Sequence, residues 1–160
     1  MQTILLAEDN EALRHAVKIA LQKREGWSVC GEASNGREAV EMATALRPDL
    51  VVLDFRMPVL NGLLAAAEIL DARPSACIIL YTLHADARLE SQAKALGVRH
   101  VISKTEPFSV LLACVEELLA PASPVGPLAI TDPVSSDTGT AGASATASVA
   151  NNVADEMPPS

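Results

Sequence analysis

Apolar and polar positions along residues 1–120 follow two alternating spacings. Short apolar runs at QTILLA (2–7), WSVCGEAS (27–34), DLVVLD (49–54), ACIILYT (76–82) and HVISK (100–104) read as strands. Between them, EALRHAVKIALQKR (11–24) places apolar residues at 12, 13, 16, 17, 20 and 21, which is one face of a helix. GREAVEMATALR (36–47), LLAAAEILDAR (63–73), DARLESQAKALG (86–97) and PFSVLLACVEELLA (107–120) are read as helices too. Pro48 disfavours helical geometry at the residue before it, so the second helix stops there. Gly97 is the expected stop of the fourth, and Pro107 suits the first turn of the fifth.

Five strands alternating with five helices require crossover connections, and these build a mostly parallel sheet. LVVL (50–53) and CIIL (77–80) are apolar at every position, as expected of strands covered on both faces. The expected fold class is α/β: a doubly wound sheet between two helical layers. Ligands of such sheets sit beyond the carboxyl ends of the strands, where the winding direction switches.

Residues 121–160 break the pattern. All 12 Lys and Arg precede position 121; the tail holds Asp132, Asp137, Asp155 and Glu156 and no base. It is rich in Pro, Ala, Ser, Thr and Gly, with no regular spacing of bulky apolar residues. Such a segment buries too little surface to offset its ordering entropy, so a domain over 1–120 and a disordered tail over 121–160 are expected.

Composition narrows the function. Hydrophobic residues make up 49% of the chain but aromatic ones only 2%, so the core must be Ala, Leu, Val and Ile. A net charge of −8, with no basic cluster, argues against nucleic acid and anionic membrane as partners. TILLA (3–7) is too short for a leader or a span and runs into Glu8-Asp9. Cys30, Cys77 and Cys114 are too few and scattered for a metal motif or disulfide framework. Their apolar surroundings predict buried free thiols, which suit a reducing cytoplasm.

The polar residues that remain gather at strand ends: Glu8-Asp9 after the first strand, Asp54 after the third, Thr82 at the fourth and Lys104 at the fifth. Carboxylates crowded together repel unless a cation joins them, and hard oxygen ligands suit Mg2+. A lysine and a hydroxyl facing that site complement a phosphoryl group, which makes Asp54 a candidate nucleophile forming an acyl phosphate.

The set LLAEDN (5–10), VVLDFRMPVLNG (51–62), LYTLHA (80–85) and VISKTEP (101–107) resembles the receiver domain of bacterial two-component response regulators, within the CheY-like superfamily. The resemblance spans residues 1 to about 120 and includes motif order and spacing. It implies a flavodoxin-like sheet of strand order 2-1-3-4-5 flanked by five helices. It implies Asp54 as phosphoacceptor, Glu8 and Asp9 as the acidic pair that binds Mg2+ with Asp54, and the Arg56 backbone carbonyl as a further metal ligand. Thr82 and Lys104 are implied as the hydroxyl and lysine that meet the phosphoryl group. In the Met57-Pro58 and Asn61-Gly62 loop, Gly62 is the residue expected to take unusual backbone angles.

The implied function is that of a single-domain response regulator. A sensor histidine kinase or phosphotransfer protein would phosphorylate Asp54, and signalling would run through phosphorylation-dependent binding of a downstream protein. Such a chain catalyses its own modification only and is no turnover enzyme. It would be cytoplasmic, would not bind DNA directly, and would self-associate weakly or on phosphorylation through its fourth and fifth helices. Val101 stands where the family usually has an aromatic ring, and Leu83 where it commonly has a small residue. These departures keep a phosphorylation-independent, receiver-like adaptor as the alternative. His100, beside Val101, is expected to point to the other face of its strand and to be exposed. Arg56 and His84 occupy positions that the resemblance links to the lifetime of the acyl phosphate. An aspartyl-phosphate phosphohydrolase is disfavoured because Arg56 stands where its second acid belongs. A dinucleotide-binding enzyme is disfavoured because no glycine-rich turn follows the first strand.

Overall fold

Alternation along the strands sorts the core into two clusters, one on each face of a single sheet. A computed structural model describes residues 1–121. In chain order the elements are β1 (Gln2–Ala7), α1 (Glu11–Gln22), β2 (Trp27–Ala33), α2 (Gly36–Leu46), β3 (Leu50–Leu53), α3 (Gly62–Ala72), β4 (Ile78–Thr82), α4 (Ala87–Leu96), β5 (His100–Ser103) and α5 (Phe108–Leu119). The sheet order is β2-β1-β3-β4-β5 and every neighbouring pair is parallel, the expected flavodoxin-like arrangement. The expectation for the tail falls on residues 122–160, outside those described.

One face of the sheet presents Leu5, Ala7, Val51, Leu53, Ile78 and Leu80 to helices α2, α3 and α4. The other presents Ile4, Leu6, Leu50, Val52, Ile79, Tyr81 and Ile102 to α1 and α5. Odd and even positions of each strand take opposite sides, as a period of two requires. The first cluster is filled by alanines at 39, 43, 65, 66 and 93. These small side chains let α2, α3 and α4 lie close on the sheet, which explains how an aromatic-poor sequence closes its core.

Helix starts are fixed by side chains. Asn10, Asn35, Asn61 and Asp86 each accept from the backbone N–H three residues on, capping α1 to α4. Pro107 occupies the N-cap position of α5, one residue before the first turn where the sequence placed it, and offers no side-chain cap. Arg47 closes α2 in the left-handed region ahead of Pro48, and Gly97 closes α4 at φ 108°. The three cysteines are free, as expected, but half-buried where buried thiols were expected; burial still raises the pKa of each.

The β3–α3 loop corrects a second expectation. Gly62 does not have positive φ; Val59 does, at 71°. Gly62 is needed for space instead: a Cβ there would stand 2.1 Å from the Asp54 carbonyl oxygen, and one on Gly36 would stand 1.9 Å from that of Leu60. The loop thus runs tightly over the starts of α2 and α3. A β-branched residue in the left-handed region stores roughly 1–2 kcal/mol. Val59 is 78% exposed, so its side chain contributes little packing in return. Val59→Asn is therefore expected to stabilise the domain by about 1 kcal/mol, read as a higher midpoint in urea with an unchanged slope.

Candidate functional site

The sheet itself carries the acidic residues to one place. The Asp54 N–H donates to the Ala7 carbonyl at 2.9 Å, one step beyond β3, and the Glu8 N–H donates to Ala33 at 3.0 Å. Asn10 then turns the chain into α1, its own N–H donating to Glu8 Oε1 at 3.0 Å. Carboxylate oxygens of Glu8, Asp9 and Asp54 all lie within 4.8 Å of one another. Glu8 and Asp54 are 3% and 5% exposed, while Asp9 faces solvent. Lys104 leaves the end of β5, where its N–H donates to the Thr82 carbonyl at 2.8 Å. Its ammonium reaches Glu8 Oε2 at 2.5 Å and Asp54 Oδ1 at 3.1 Å. Thr82 is buried beside them, and its hydroxyl oxygen accepts from the His84 N–H at 3.4 Å.

All six residues singled out from sequence line one open cavity of about 550 Å³: Glu8, Asp9, Asp54, Arg56, Thr82 and Lys104. Leu83 and His84 form its rim, and Leu83 stays 57% exposed. Val101 packs on the core cluster beneath α4. His100 lies on the opposite face and pairs with Glu117 of α5 at 2.9 Å, so strand alternation directs the two as expected. The sequence reading missed Asn10, Arg14 and Tyr81. Asn10 was legible as a cap preceding an apolar-periodic run. Tyr81 is buried in the core next to the site, with the Lys104 ammonium 6.0 Å from its ring centroid. Arg14 carried no local signal.

Three acids face one lysine, and for the two that are buried it is burial that dominates the electrostatics. Burial pushes the Asp54 carboxyl above the usual range; the Lys104 charge and hydrogen bond and an Arg56 N–H offset this in part, and Asp9 adds to it. Burial likewise raises Glu8, with Lys104 and the Asn10 N–H opposing. A carboxyl raised on folding destabilises the folded state as pH climbs through the raised value, and costs nothing below its unfolded pKa. Asp54→Asn is accordingly expected to melt higher than wild type in metal-free buffer at neutral pH. The gap should close in acid, where Asp54 is protonated in both states. Equal melting curves at neutral pH would contradict this account.

Acids held at a cost to stability, opposite a lysine and a buried hydroxyl, are what the comparisons with known proteins explain. The sequence matches the family described as response regulator receiver domain over residues 4–116. The chain belongs to that family. It is 37% identical over 105 residues to the chemotaxis protein CheY of Thermotoga maritima, covering 66% of this chain and 85% of that one. It is 35% identical over 113 residues to the transcriptional regulatory protein PdtaR of Mycobacterium tuberculosis, covering 71% and 54%. A two-component response regulator of the LuxR family from Aurantimonas sp. SI85-9A1 superposes with a TM-score of 0.71 at 26% identity, covering 74% of this chain and 84% of that one. The chain spans between 22% and 58% of the length of the first curated relatives it matches. It carries a receiver domain of two-component signalling, and among the described residues no helix is long and apolar enough to cross a membrane.

Proposed function

We propose that this receiver domain accepts a phosphoryl group on Asp54 from a histidine kinase or phosphotransfer protein and signals, in the cytoplasm, through phosphorylation-dependent binding of a partner. The observation that carries the reading is the single ammonium of Lys104 shared by Glu8 and Asp54 within a cluster of three carboxylates. Oxygen ligands alone, with no His or Cys in the cluster, fit Mg2+. The carboxylates of Glu8, Asp9 and Asp54 and the carbonyl of Arg56 would hold it. When bound, the ion supplies positive charge to the oxygens of the incoming phosphoryl group.

The residues of the chain do the rest. The Asp54 carboxylate attacks phosphorus as the donor's nitrogen–phosphorus bond breaks, and leaves an acyl phosphate on its side chain. Lys104 turns from Asp54 to a phosphoryl oxygen while remaining close to Glu8. Thr82 donates its hydroxyl to another. Leu83 at the rim narrows the approach of water. The reaction modifies the chain itself, so the domain is a substrate of its own site and no turnover enzyme.

The test is labelling by a small phosphodonor with Mg2+. Intact-mass spectrometry is expected to show one phosphoryl group added to wild type and none to Asp54→Ala; equal labelling of both would overturn the assignment. The adaptor reading draws on Val101, which offers no ring to couple the site to the surface, and on exposed Leu83. Partner binding that is identical for wild type and Asp54→Ala, with no labelling, would favour it.

A further inference from the structure

We propose that Arg14 is a positioning residue for the acidic pair: it holds the Glu8 peptide so that Glu8 and Asp9 can take a divalent cation. This rests on the reading above that the pair binds Mg2+. The β1 ladder gives out just where the pair begins. Ala7 pairs with Leu53 and Ala33, the Asp54 N–H takes the Ala7 carbonyl, and the Glu8 N–H takes that of Ala33. Among the described residues no backbone N–H is bonded to the Glu8 carbonyl. A carbonyl left free at that point lets the Glu8-Asp9 peptide rotate, and rotation swings both side chains.

Arg14 supplies the missing donor from the first turn and a half of α1. Its Nη1 donates to the Glu8 carbonyl oxygen at 2.8 Å. Its Nε donates to Glu32 Oε1 on β2 at 3.3 Å, and Lys18 holds the other oxygen of Glu32 at 2.6 Å. The guanidinium is thereby fixed between α1 and β2, with only 16% of the side chain exposed. Glu8 is consequently held on both sides. Arg14 grips its carbonyl, while the Asn10 N–H and Lys104 grip its carboxylate. Arginine suits this task because its planar fork serves two acceptors at fixed angles, which a lysine cannot do.

Charge and position predict opposite signs, which makes the inference testable. Arg14 is a cation near an anionic site. Acting through charge alone, its removal would tighten binding of a second cation. Acting by position, its removal weakens binding, as loss of residues supporting metal ligands typically does by 10-fold or more.

The experiment is isothermal titration calorimetry of the full chain with magnesium chloride, after circular dichroism melts confirm that each variant is folded at the titration temperature. Arg14→Met is expected to weaken Mg2+ binding roughly 10-fold. Arg14→Lys keeps the charge without the fork and should fall between Arg14→Met and wild type. Lys18→Met removes an equal charge but leaves the bond to Glu8, and should bind within about twofold of wild type. Wild-type affinity or tighter in Arg14→Met overturns the proposal, as does equal weakening in Lys18→Met. Absence of Mg2+ binding by wild type, or unchanged binding in Asp9→Asn, overturns the acidic-pair reading itself and this inference with it.

Discussion

Lys104→Met is expected to lower the stability of the metal-free domain by about 2–4 kcal/mol at neutral pH. The substitution keeps most of the side-chain volume and removes only the charge and its hydrogen bonds. It strands Glu8 and Asp54, both nearly inaccessible, beside Asp9. The cost is bounded by protonation, because a stranded carboxyl takes up a proton rather than remain charged. Moving one carboxyl from its ordinary range to pH 7 costs about 3–4 kcal/mol, and the open cavity reduces that. For a domain of this size the melting temperature should fall by roughly 10 °C. The pH dependence identifies the cause. With the lysine gone, the folded-state pKa values of Glu8 and Asp54 rise further above their unfolded values. The penalty is then complete above the raised values and absent below the ordinary carboxylate range. Wild type and variant should therefore converge in acid. A gap that stays constant from neutral to acid pH would mean that Lys104 stabilises by packing.

Gly62→Ala is expected to destabilise by at least the upper end of the roughly 1–3 kcal/mol that overpacking usually costs. The obstacle is the Asp54 carbonyl oxygen, 2.1 Å from the new methyl, and backbone cannot move aside as a side-chain tip can. The Gly62 N–H also donates to the Phe55 carbonyl at 2.8 Å, so relief of the clash breaks the closure of the loop. Asp54 is the residue pushed, and labelling by a phosphodonor should be lost along with stability. Gly26→Ala is the control. Gly26 has φ +88° but nothing within 4 Å of an added Cβ, so it should cost only about 1 kcal/mol. Chemical denaturation of both variants checks the order, and a larger loss at Gly26 would refute the steric account.

The elements were legible because their apolar residues declare burial on one face or two. The predicted strands and helices lie within about two residues of those observed, α1 ending at Gln22 where the pattern ran to Arg24. Strand order is another matter. Nothing local in LVVL says that it lies between β1 and β4; that came from resemblance to a family. The site was legible for a physical reason: polar side chains at the ends of otherwise apolar strands fall on one edge of a parallel sheet. Arg14 and Val59 were not. The role proposed for Arg14 depends on the carbonyl just past β1, that of Glu8, having no backbone donor among the described residues, and that is a property of the assembled backbone. The loop after Asp54 contains a glycine, which drew the expectation of a positive φ. Yet the turned residue is Val59 and the crowded one Gly62.

A core assembled from aliphatic side chains also makes the protein optically sparse. The only tryptophan, Trp27, opens β2 opposite Gln2, at the end of the sheet away from the strand tips that carry Asp54 and Lys104. Its fluorescence, coloured by Arg24 5.9 Å from the ring, reports on that distant end. The only tyrosine, Tyr81, lies inside with the Lys104 ammonium 6.0 Å from its ring centroid. The one tyrosine ring of the chain therefore stands close to the cation that, in the function proposed above, would turn toward a phosphoryl group. If Lys104 moves on phosphorylation as proposed, the Tyr81 ring protons should shift in the proton nuclear magnetic resonance spectrum with no label added.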